Sequence, residues 1–587
     1  MQSLGKFKLN VSRILGGMAT GLLLLGMACG AAATATPPPT SATTPGAPVV
    51  PAGPTPTAAP APTTAPAAPV VHPGKLSWMI ADWGNGRFDS SFAAGVGNNY
   101  GRIIHGFLIV TGERPQLLPG IATKWEISSD GKTWTFTIRD GAKFHDGKAI
   151  TADDAWWTLM HYFGKDESGS AVERVTSGSA QGTARSVDRI QRVGPNQVSI
   201  ITNIADAGLP AYLGETGPNW WGIFPRRPKV HDYQQDQDFD LNPIGAGPMR
   251  LVRYVPAELM RFERFEDFYY QPKNGFPEDR RVRFTTLDMR LIPEEATRVA
   301  AIRAGEADIA PASGATRKPV EAGGGRLVFG PEGIYVRAYF MGCYKPEYPC
   351  HDKRVRQALD YAIDKTVIRD QLFGGPEVFQ AKGWAHITPS SIGYSPDLDP
   401  RPFDPNKARQ LLAEAGYPGG KGFGKLIVNT WVSPSMPYLP ESAQLAADFW
   451  RKELGLDVEV KLSDNVALNQ QQLSGLLHGQ FFWTDNETRL DPGNITKFNY
   501  ATPGYPRRFH ETQELVDFVQ GALAVFEPAK RPAAFNPVFR RLREESYEMG
   551  IGYVNIPWAV GPRVAAWQPW PFSFYPSNLH GITLKSP

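Results

Sequence analysis

Cysteine is scarce in this chain, whose 587 residues include three, at positions 29, 343 and 350. So few cysteines exclude a disulfide-dense scaffold and a cysteine-rich metal cluster. The ten histidines show no His-x-x-x-His spacing, so we predict no metal site. The formal net charge of +3 indicates no polybasic surface, which argues against a nucleic-acid partner. No apolar run after Cys29 is long enough to span a bilayer.

The sequence also lacks the common local motifs of enzymes. It contains no Gly-x-Ser-x-Gly elbow, no His-Glu-x-x-His and no phosphate loop. His145 and Asp146 stand in a segment typical of a turn at a strand end, which favours a structural role over a catalytic or metal-binding one. We therefore predict a protein that is not an enzyme and needs no cofactor. A glycosidase with two carboxylates stays open as an alternative, because its acids carry no fixed local motif.

The amino-terminal segment has the pattern of a secretory signal. Lys6, Lys8 and Arg13 precede a short apolar stretch that ends at Cys29. A cysteine at the cleavage point resembles a bacterial lipoprotein signal, although Gly26 stands where such signals usually carry leucine. We predict a signal peptide over residues 1–28 and a lipid on Cys29 that holds the protein to the membrane. Ordinary secretion, with Cys29 incidental, is the alternative.

Residues 29–71 are predicted to be a disordered spacer. They alternate proline, alanine and threonine and lack the aromatic residues of a core.

Cys343 and Cys350 remain as an even pair around a short loop that contains proline. Outside the cytosol such a pair most simply forms a disulfide, which would stabilise the fold by about 2–3 kcal/mol. His351 is the only other metal-ligand type nearby, so a metal site is disfavoured.

The folded part mixes strand and helix patterns. Residues 124–139 alternate apolar and polar side chains around Asp130-Gly131 and predict a hairpin. A helix is predicted from Thr151, with Asp154 in capping-box position and Trp156 on its buried stripe. Further segments with strand or helix patterns predict an α/β protein with mixed sheets; they are 247–270, 287–292, 294–304, 309–310, 354–363, 404–418, 426–431 and 456–462.

Several of these segments, taken in order, resemble the family 5 extracellular solute-binding proteins, which include dipeptide-, oligopeptide- and nickel-binding proteins of ATP-driven importers. The matching stretches are Leu118 to Glu126, Asp130 to Phe136, Phe144 to Gly147, Thr151 to Asp154, Gly245 to Pro248, Gly305 to Ile309, Val355 to Asp364 and Asp404 to Pro418. The resemblance implies a two-lobed, periplasmic-binding-protein-like fold with a hinge that closes over a solute.

The resemblance also implies an arrangement of the lobes along the chain. Lobe I would comprise 72–333, with an extra subdomain at about 110–240, and the returning segment 556–587. Lobe II would comprise 334–555. The implied protein is a monomer that works with the permease subunits of an importer. Its place would be extracytoplasmic, as a lipoprotein in the periplasm or on the outer face of the cytoplasmic membrane.

Candidate ligand-binding residues follow from the same resemblance. Asp485 matches an aspartate that pairs with the ligand's amino terminus in peptide-binding members, and Asn486 adjoins it. Trp483 would form a flat wall against ligand side chains. Trp220 and Trp221, in a loop rich in glycine and proline, are candidates for stacking on a ligand. For each of them, a structural role in a core or surface loop is the alternative.

The segment that follows Asp485 departs from the family pattern. Glu487 to Leu490 stand before Asp491-Pro492, where the family has a shorter link. Arg226-Arg227 and Arg280-Arg281 are interpreted as solvated charges, although one arginine could reach a ligand carboxylate. The predicted function is the capture of short peptides for import. The alternatives are an oligosaccharide or other small organic solute on the same fold, and, from other classes, a sensor ectodomain or secreted hydrolase.

Overall fold

The computed structural model of the protein describes residues 74–84, 86–90, 98–112, 116–171, 184–215, 221–228, 233–433, 436, 438–501, 512–572 and 577–585. The predicted signal peptide, Cys29 and the spacer lie outside these residues. Within the described ranges, no helix combines the length and the apolar character that crossing a bilayer demands.

The described chain contains strands and helices in irregular alternation. The strands are β1 (Lys75–Ile80), β2 (Ile109–Thr111), β3 (Leu117–Pro119), β4 (Ala122–Ile127), β5 (Thr133–Ile138), β6 (Val187–Gly194), β7 (Gln197–Thr202), β8 (Met249–Val255), β9 (Leu259–Arg264), β10 (Thr286–Leu291), β11 (Ile309–Pro311), β12 (Arg326–Phe340), β13 (Phe379–Gln380), β14 (Lys425–Thr430), β15 (Asp457–Leu462), β16 (Phe481–Glu487), β17 (Met549–Val560), β18 (Val564–Ala566) and β19 (Thr583–Leu584).

The α-helices lie mostly in the second half of the chain. They are α1 (Asn98–Ile104), α2 (Ala152–Phe163), α3 (Leu209–Tyr212), α4 (Tyr233–Leu241), α5 (Glu295–Ala304), α6 (Arg317–Ala322), α7 (Lys353–Tyr361), α8 (Lys365–Leu372), α9 (Pro405–Glu414), α10 (Leu439–Leu454), α11 (Asn465–Leu473), α12 (Gly493–Tyr500), α13 (Gln513–Leu523) and α14 (Arg531–Glu544).

Two long strands connect the parts of an 11-stranded mixed sheet with the order β15-β14-β16-β12-β17-β11-β1-β10-β9-β8, and β13 pairs with β17. Residues 326–330 of β12 pair with 556–560 of β17, and 334–338 pair with 549–554. The register is interrupted between Gly330 and Ile334. The interruption lies where the predicted lobe boundary falls, at 333/334 and 555/556; the boundary itself stays a prediction.

A separate four-stranded sheet, with the order β4-β5-β7-β6, contains the predicted hairpin. Its two strands pair antiparallel, with Ile127 opposite Trp134 across the turn. Gly131 in that turn has a φ of +71°, which a residue with a side chain rarely adopts. The hairpin prediction is confirmed.

The predicted capping box at the start of α2 is present. The Thr151 side chain accepts a hydrogen bond from the Asp154 amide, and the Asp154 carboxylate accepts one from the Thr151 amide at 2.9 Å. The prediction that Trp156 lies on the buried stripe is wrong. Trp157 is buried in the core, whereas Trp156 is half-buried beneath the Arg192 guanidinium, 4.4 Å from the ring centroid. The rest of the buried face lies where the periodicity places it, since Ala155, Leu159, Met160 and Phe163 are all buried.

The helices predicted over 354–363 and 404–418 are present as α7 and α9. Asp352 caps α7, and Asp404 caps α9 by accepting from the Lys407 amide. Gly416, after α9, has a φ of +97°, as expected of a helix-terminating glycine. The disulfide between Cys343 and Cys350 is present, with the two Cα atoms 5.3 Å apart.

Candidate functional site

The candidate site lies where three parallel strands end. β14 is parallel to β15, with Thr430 opposite Leu462, and parallel to β16, with Val428 opposite Phe481. The carboxyl ends of parallel strands meet at one edge of a sheet, and ligands of open α/β sheets bind outside that edge. β16 extends past its neighbour β14 and carries Asp485 to this edge.

Asp485 is a half-buried carboxylate at this edge. Its Oδ2 accepts a hydrogen bond from Ser433 Oγ at 2.7 Å. Among the described residues, no lysine or arginine side chain lies within ion-pair distance of it. Burial raises the pKa of Asp485 to about 6, although the Ser433 hydroxyl and the positive charge of Arg337 oppose the rise. A ligand cation would supply the charge that the site lacks.

This edge adjoins the interruption in the pairing of the two long strands β12 and β17. Glu332, in the interruption of β12, has a φ of +51°. Its amide donates to Asn555 Oδ1 at 2.9 Å, and its carboxylate accepts from the Ser390 amide at 3.2 Å and from Ser390 Oγ at 3.0 Å. The hydroxyls of Thr388 and Thr488 donate to the carboxylate and to the carbonyl of Glu332, respectively. These bonds hold a strained conformation where a hinge would bend.

A comparison with known proteins decides the family. The family model described as "Bacterial extracellular solute-binding proteins, family 5 Middle" matches residues 116–501. The chain belongs to this family.

The curated relatives of this family 5 protein have several ligands in their names. It is 27% identical over 368 residues to the dipeptide-binding protein of Escherichia coli K12, a match that covers 59% of this chain and 62% of the relative. It is 27% identical over 353 residues to heme-binding protein A of Haemophilus influenzae, covering 57% and 60% of the two chains. The match thus spans about three fifths of the length of these relatives.

Solved structures show the fold. The periplasmic binding protein AgaA from A. tumefaciens R10, in complex with agropinic acid, superimposes with a TM-score of 0.70 at 20% identity, covering 87% of this chain and 99% of that one. The DppA protein of Helicobacter pylori, in complex with the peptide STSA, gives 0.69 at 19% identity over 87% and 98%. The family 5 chain has the two-lobed α/β fold that the sequence predicts.

The structure separates the residues predicted around Asp485. Asp485 lies opposite Val336 and Asn486 opposite Tyr335, so the two side chains point to opposite faces of the sheet. Asn486 is half-buried. From one face of the sheet, a ligand would therefore meet only one of them. Their roles as ligand contacts stay predictions.

The predicted tryptophans are core residues where the structure describes them. Trp483 has no exposed surface, and its Nε1 donates to Ser442 Oγ at 2.8 Å. Trp221 is buried, with its ring 4.8 Å from that of Tyr162. In this conformation neither ring offers surface to a ligand. Trp220 lies outside the described residues.

Two residues of the edge were not predicted from the sequence. Ser433 is the hydrogen-bond partner of Asp485, and Trp431 is a half-buried ring whose Nε1 donates to Thr484 Oγ1 at 3.3 Å. Both closely follow β14, so the predicted end of that strand could have indicated them. Glu487 and Arg489 form an ion pair within the lengthened link that departs from the family pattern.

The interpretation of both arginine pairs as solvated charges is wrong for one member of each. The side chain of Arg227 is 10% exposed and that of Arg280 is 6% exposed, whereas Arg226 is 53% exposed. Arg280 Nη1 donates to the Thr111 carbonyl at 2.7 Å. Guanidinium groups at these positions are buried because carboxylate or carbonyl acceptors meet them there.

In the part of the chain that the structure describes, one group of side chains has the spacing of a metal site, and Arg227 contacts it. That group is Asp89, His161 and Asp236, all buried. Arg227 Nη2 lies 2.8 Å from Asp89 Oδ2, and its Nη1 lies 2.9 Å from Asp236 Oδ1. His161 and Arg227 together hold the pKa of Asp89 well below its usual value, against the effect of burial. The guanidinium already supplies the positive charge, so we interpret the group as a structural network.

Proposed function

We propose that the chain is an extracytoplasmic solute receptor of an ATP-driven importer, and that it captures short peptides between its two lobes. Asp485 is the observation that carries the proposal. A half-buried carboxylate with one hydroxyl partner at a strand edge is complementary to the ammonium group of a peptide's amino terminus. A charge-assisted hydrogen bond there gives both attraction and direction.

Main-chain recognition fits the rest of this picture. Extended peptides are commonly held by their backbone and termini, which gives affinity without a strict sequence preference. Relatives and neighbours named for dipeptides and for a bound peptide support this class of ligand. Other relatives are named for heme or glutathione, so a different small organic solute is the second candidate. An oligosaccharide is less favoured, because the described candidate tryptophans are buried.

The proposal includes the setting of the receptor. The protein would bind its solute as a monomer, without converting it chemically, and deliver it to permease subunits. Lipid on Cys29 would anchor it, and residues 29–71 would hold the folded part away from the membrane. The two lobes would divide at 333/334 and 555/556, with residues 556–587 returning to the first lobe.

Calorimetry with peptides tests the ligand class. Trialanine and N-acetyl-trialanine serve as probes, because acetylation removes the ammonium charge and leaves the rest of the backbone. We expect saturable binding of trialanine, much weaker binding of the acetylated probe and recovery of both peptides unaltered by mass spectrometry. Equal affinity for the two probes would contradict the role of Asp485, and hydrolysis of either would contradict a receptor without catalysis.

A further inference from the structure

A second contact joins parts of the chain that the long strands β12 and β17 separate. One side is the loop after β7, at Asp206 and Ala207, together with Ser186. The other side is α12, which carries Lys497, and the end of α13 at Leu523. We call it the 206–497 contact. Neither side belongs to the two long strands, so the contact is a separate connection between the segment before β12 and the segment between β12 and β17.

An ion pair forms the centre of the 206–497 contact. Lys497 Nζ pairs with Asp206 Oδ2 and also lies 3.0 Å from Ser186 Oγ, to which it donates. The two charged side chains are 1% and 0% exposed. Trp134 Nε1 donates to the Asp206 carbonyl at 2.8 Å and fixes the loop that presents the carboxylate. Both charges are thus held out of water by the meeting of the two sides.

Backbone and ring contacts surround the ion pair. The Ala207 amide donates to the Leu523 carbonyl at 3.0 Å. The rings of Trp134 and Phe526 lie edge to face, with centroids 6.3 Å apart. A β-carbon at Gly131 would overlap the Phe526 ring, so the glycine of the hairpin turn allows this close approach. Polar and apolar groups match across the contact, as they do in a specific interface.

The chemistry of the pair makes the contact all-or-none. When the two sides meet, each charge compensates the other, and when they separate, water hydrates both. A single charge left buried is strongly unfavourable, so loss of one partner favours separation of the two sides. We propose that the 206–497 contact is a latch that forms when the lobes close and that Asp206 and Lys497 are positioning residues for solute capture.

The inference rests on the proposed function only in treating lobe closure as the capture step. A latch that stabilises the closed form before the solute arrives lowers the free energy that solute binding must supply. It would also retain a captured solute until the permease separates the lobes. Its test uses the protein without any solute, so a failure of peptide binding would leave the test valid.

Hydrogen exchange of the full-length protein, followed at the Ala207 amide by mass spectrometry, measures opening of the contact. We expect K497M to speed exchange at this amide about a hundredfold, since Asp206 would be left buried without its partner. Small-angle scattering should show a larger radius of gyration for K497M than for the wild type. The double variant D206L/K497L, which replaces the pair by apolar groups, should restore slow exchange. If K497M does not fold, D206N carries the same expectation, because it leaves Lys497 unpaired.

Asp360→Asn is the matched control. Asp360 of α7 and Lys365 of α8 form another buried ion pair, with side chains 7% and 4% exposed, and both lie between β12 and β17, outside the 206–497 contact. D360N should lower the unfolding temperature without changing exchange at Ala207 or the radius of gyration. The latch would be refuted if K497M left exchange at Ala207 unchanged. It would equally be refuted if D360N accelerated that exchange as much as K497M, because the effect would then be one of general stability.

Discussion

Replacing Asp485 by asparagine tests the proposed ammonium site with the smallest change of shape. The amide of the new side chain keeps an acceptor for the Ser433 hydroxyl, which in the wild type lies 2.7 Å from the carboxylate. What disappears is the negative charge. We therefore expect the variant to fold and to lose affinity for a peptide with a free amino terminus.

The size of the loss follows from the surroundings of the carboxylate. Two unit charges about 4 Å apart attract by about 4 kcal/mol at an effective dielectric constant of about 20. Part of this is offset, because the ligand ammonium leaves water. Asp485 is already partly desolvated, which is why its pKa is raised to about 6. We expect a net loss of about 2–4 kcal/mol, or about thirtyfold to a thousandfold in Kd.

Calorimetry at pH 7.5 with trialanine measures the loss, and D457N is the matched control. Asp457 is exposed at the start of β15, on the same sheet, at the amino-terminal ends of the parallel strands. D457N should bind trialanine as the wild type does, and D485N should bind N-acetyl-trialanine no worse than the wild type does. Unchanged affinity of D485N for trialanine would remove Asp485 from the site and refute the reasoning.

Four further predictions follow from the same structure. Peptide affinity, measured by calorimetry, should fall about tenfold from pH 7 to pH 5, because the pKa of Asp485 in the unliganded protein is about 6 and the ligand needs the ionised carboxylate. This fall should be absent in D485N. In the unliganded protein, the raised pKa of Asp485 makes its contribution to the free energy of unfolding fall as the pH rises from about 4 to 6. The unfolding temperature of D485N should therefore rise relative to that of the wild type over this range. Replacing Cys343 and Cys350 by alanine should lower the free energy of unfolding by about 2–3 kcal/mol in urea titrations and leave peptide affinity unchanged. Glu332→Ala should lower the free energy of unfolding in urea by about 2–3 kcal/mol, since alanine keeps the positive φ and leaves the Ser390 amide without its acceptor. A stability equal to that of the wild type would contradict the contribution of these hydrogen bonds.

Local sequence patterns were sufficient for much of the secondary structure. The hairpin around Asp130-Gly131 and the caps at Thr151, Asp352 and Asp404 each depend on residues within a few positions of one another. Such signals are contained in short segments, so they can be read without the fold. The family resemblance rested on the same local segments taken in order.

The depth of individual side chains could not be predicted in this way. Trp483 and Asp485 stand on the same face of β16, yet Trp483 is fully buried because Ser442 and Trp450 of α10 cover it. Asp485, two residues further along the strand, is half-buried. Which residues a helix covers depends on packing between elements that are distant in the sequence.

Contacts over long sequence separations were likewise beyond local patterns. Arg227 meets Asp89 across 138 residues, and Lys497 meets Asp206 across 291 residues. Charged residues in loops are solvated by default, and a buried partner is visible only in the fold. For this reason the sequence does not predict the burial of Arg227 and Arg280, nor the 206–497 contact.

Native mass spectrometry of the protein as purified tests the central claim most directly. The claim is that two lobes close on a small solute and release it chemically unaltered. We predict a non-covalent adduct of one solute per chain, which dissociation and fragmentation identify as a short peptide with a free amino terminus. An adduct without an ammonium group, such as an oligosaccharide, or recovery of only the cleaved products of an added peptide, would contradict the account.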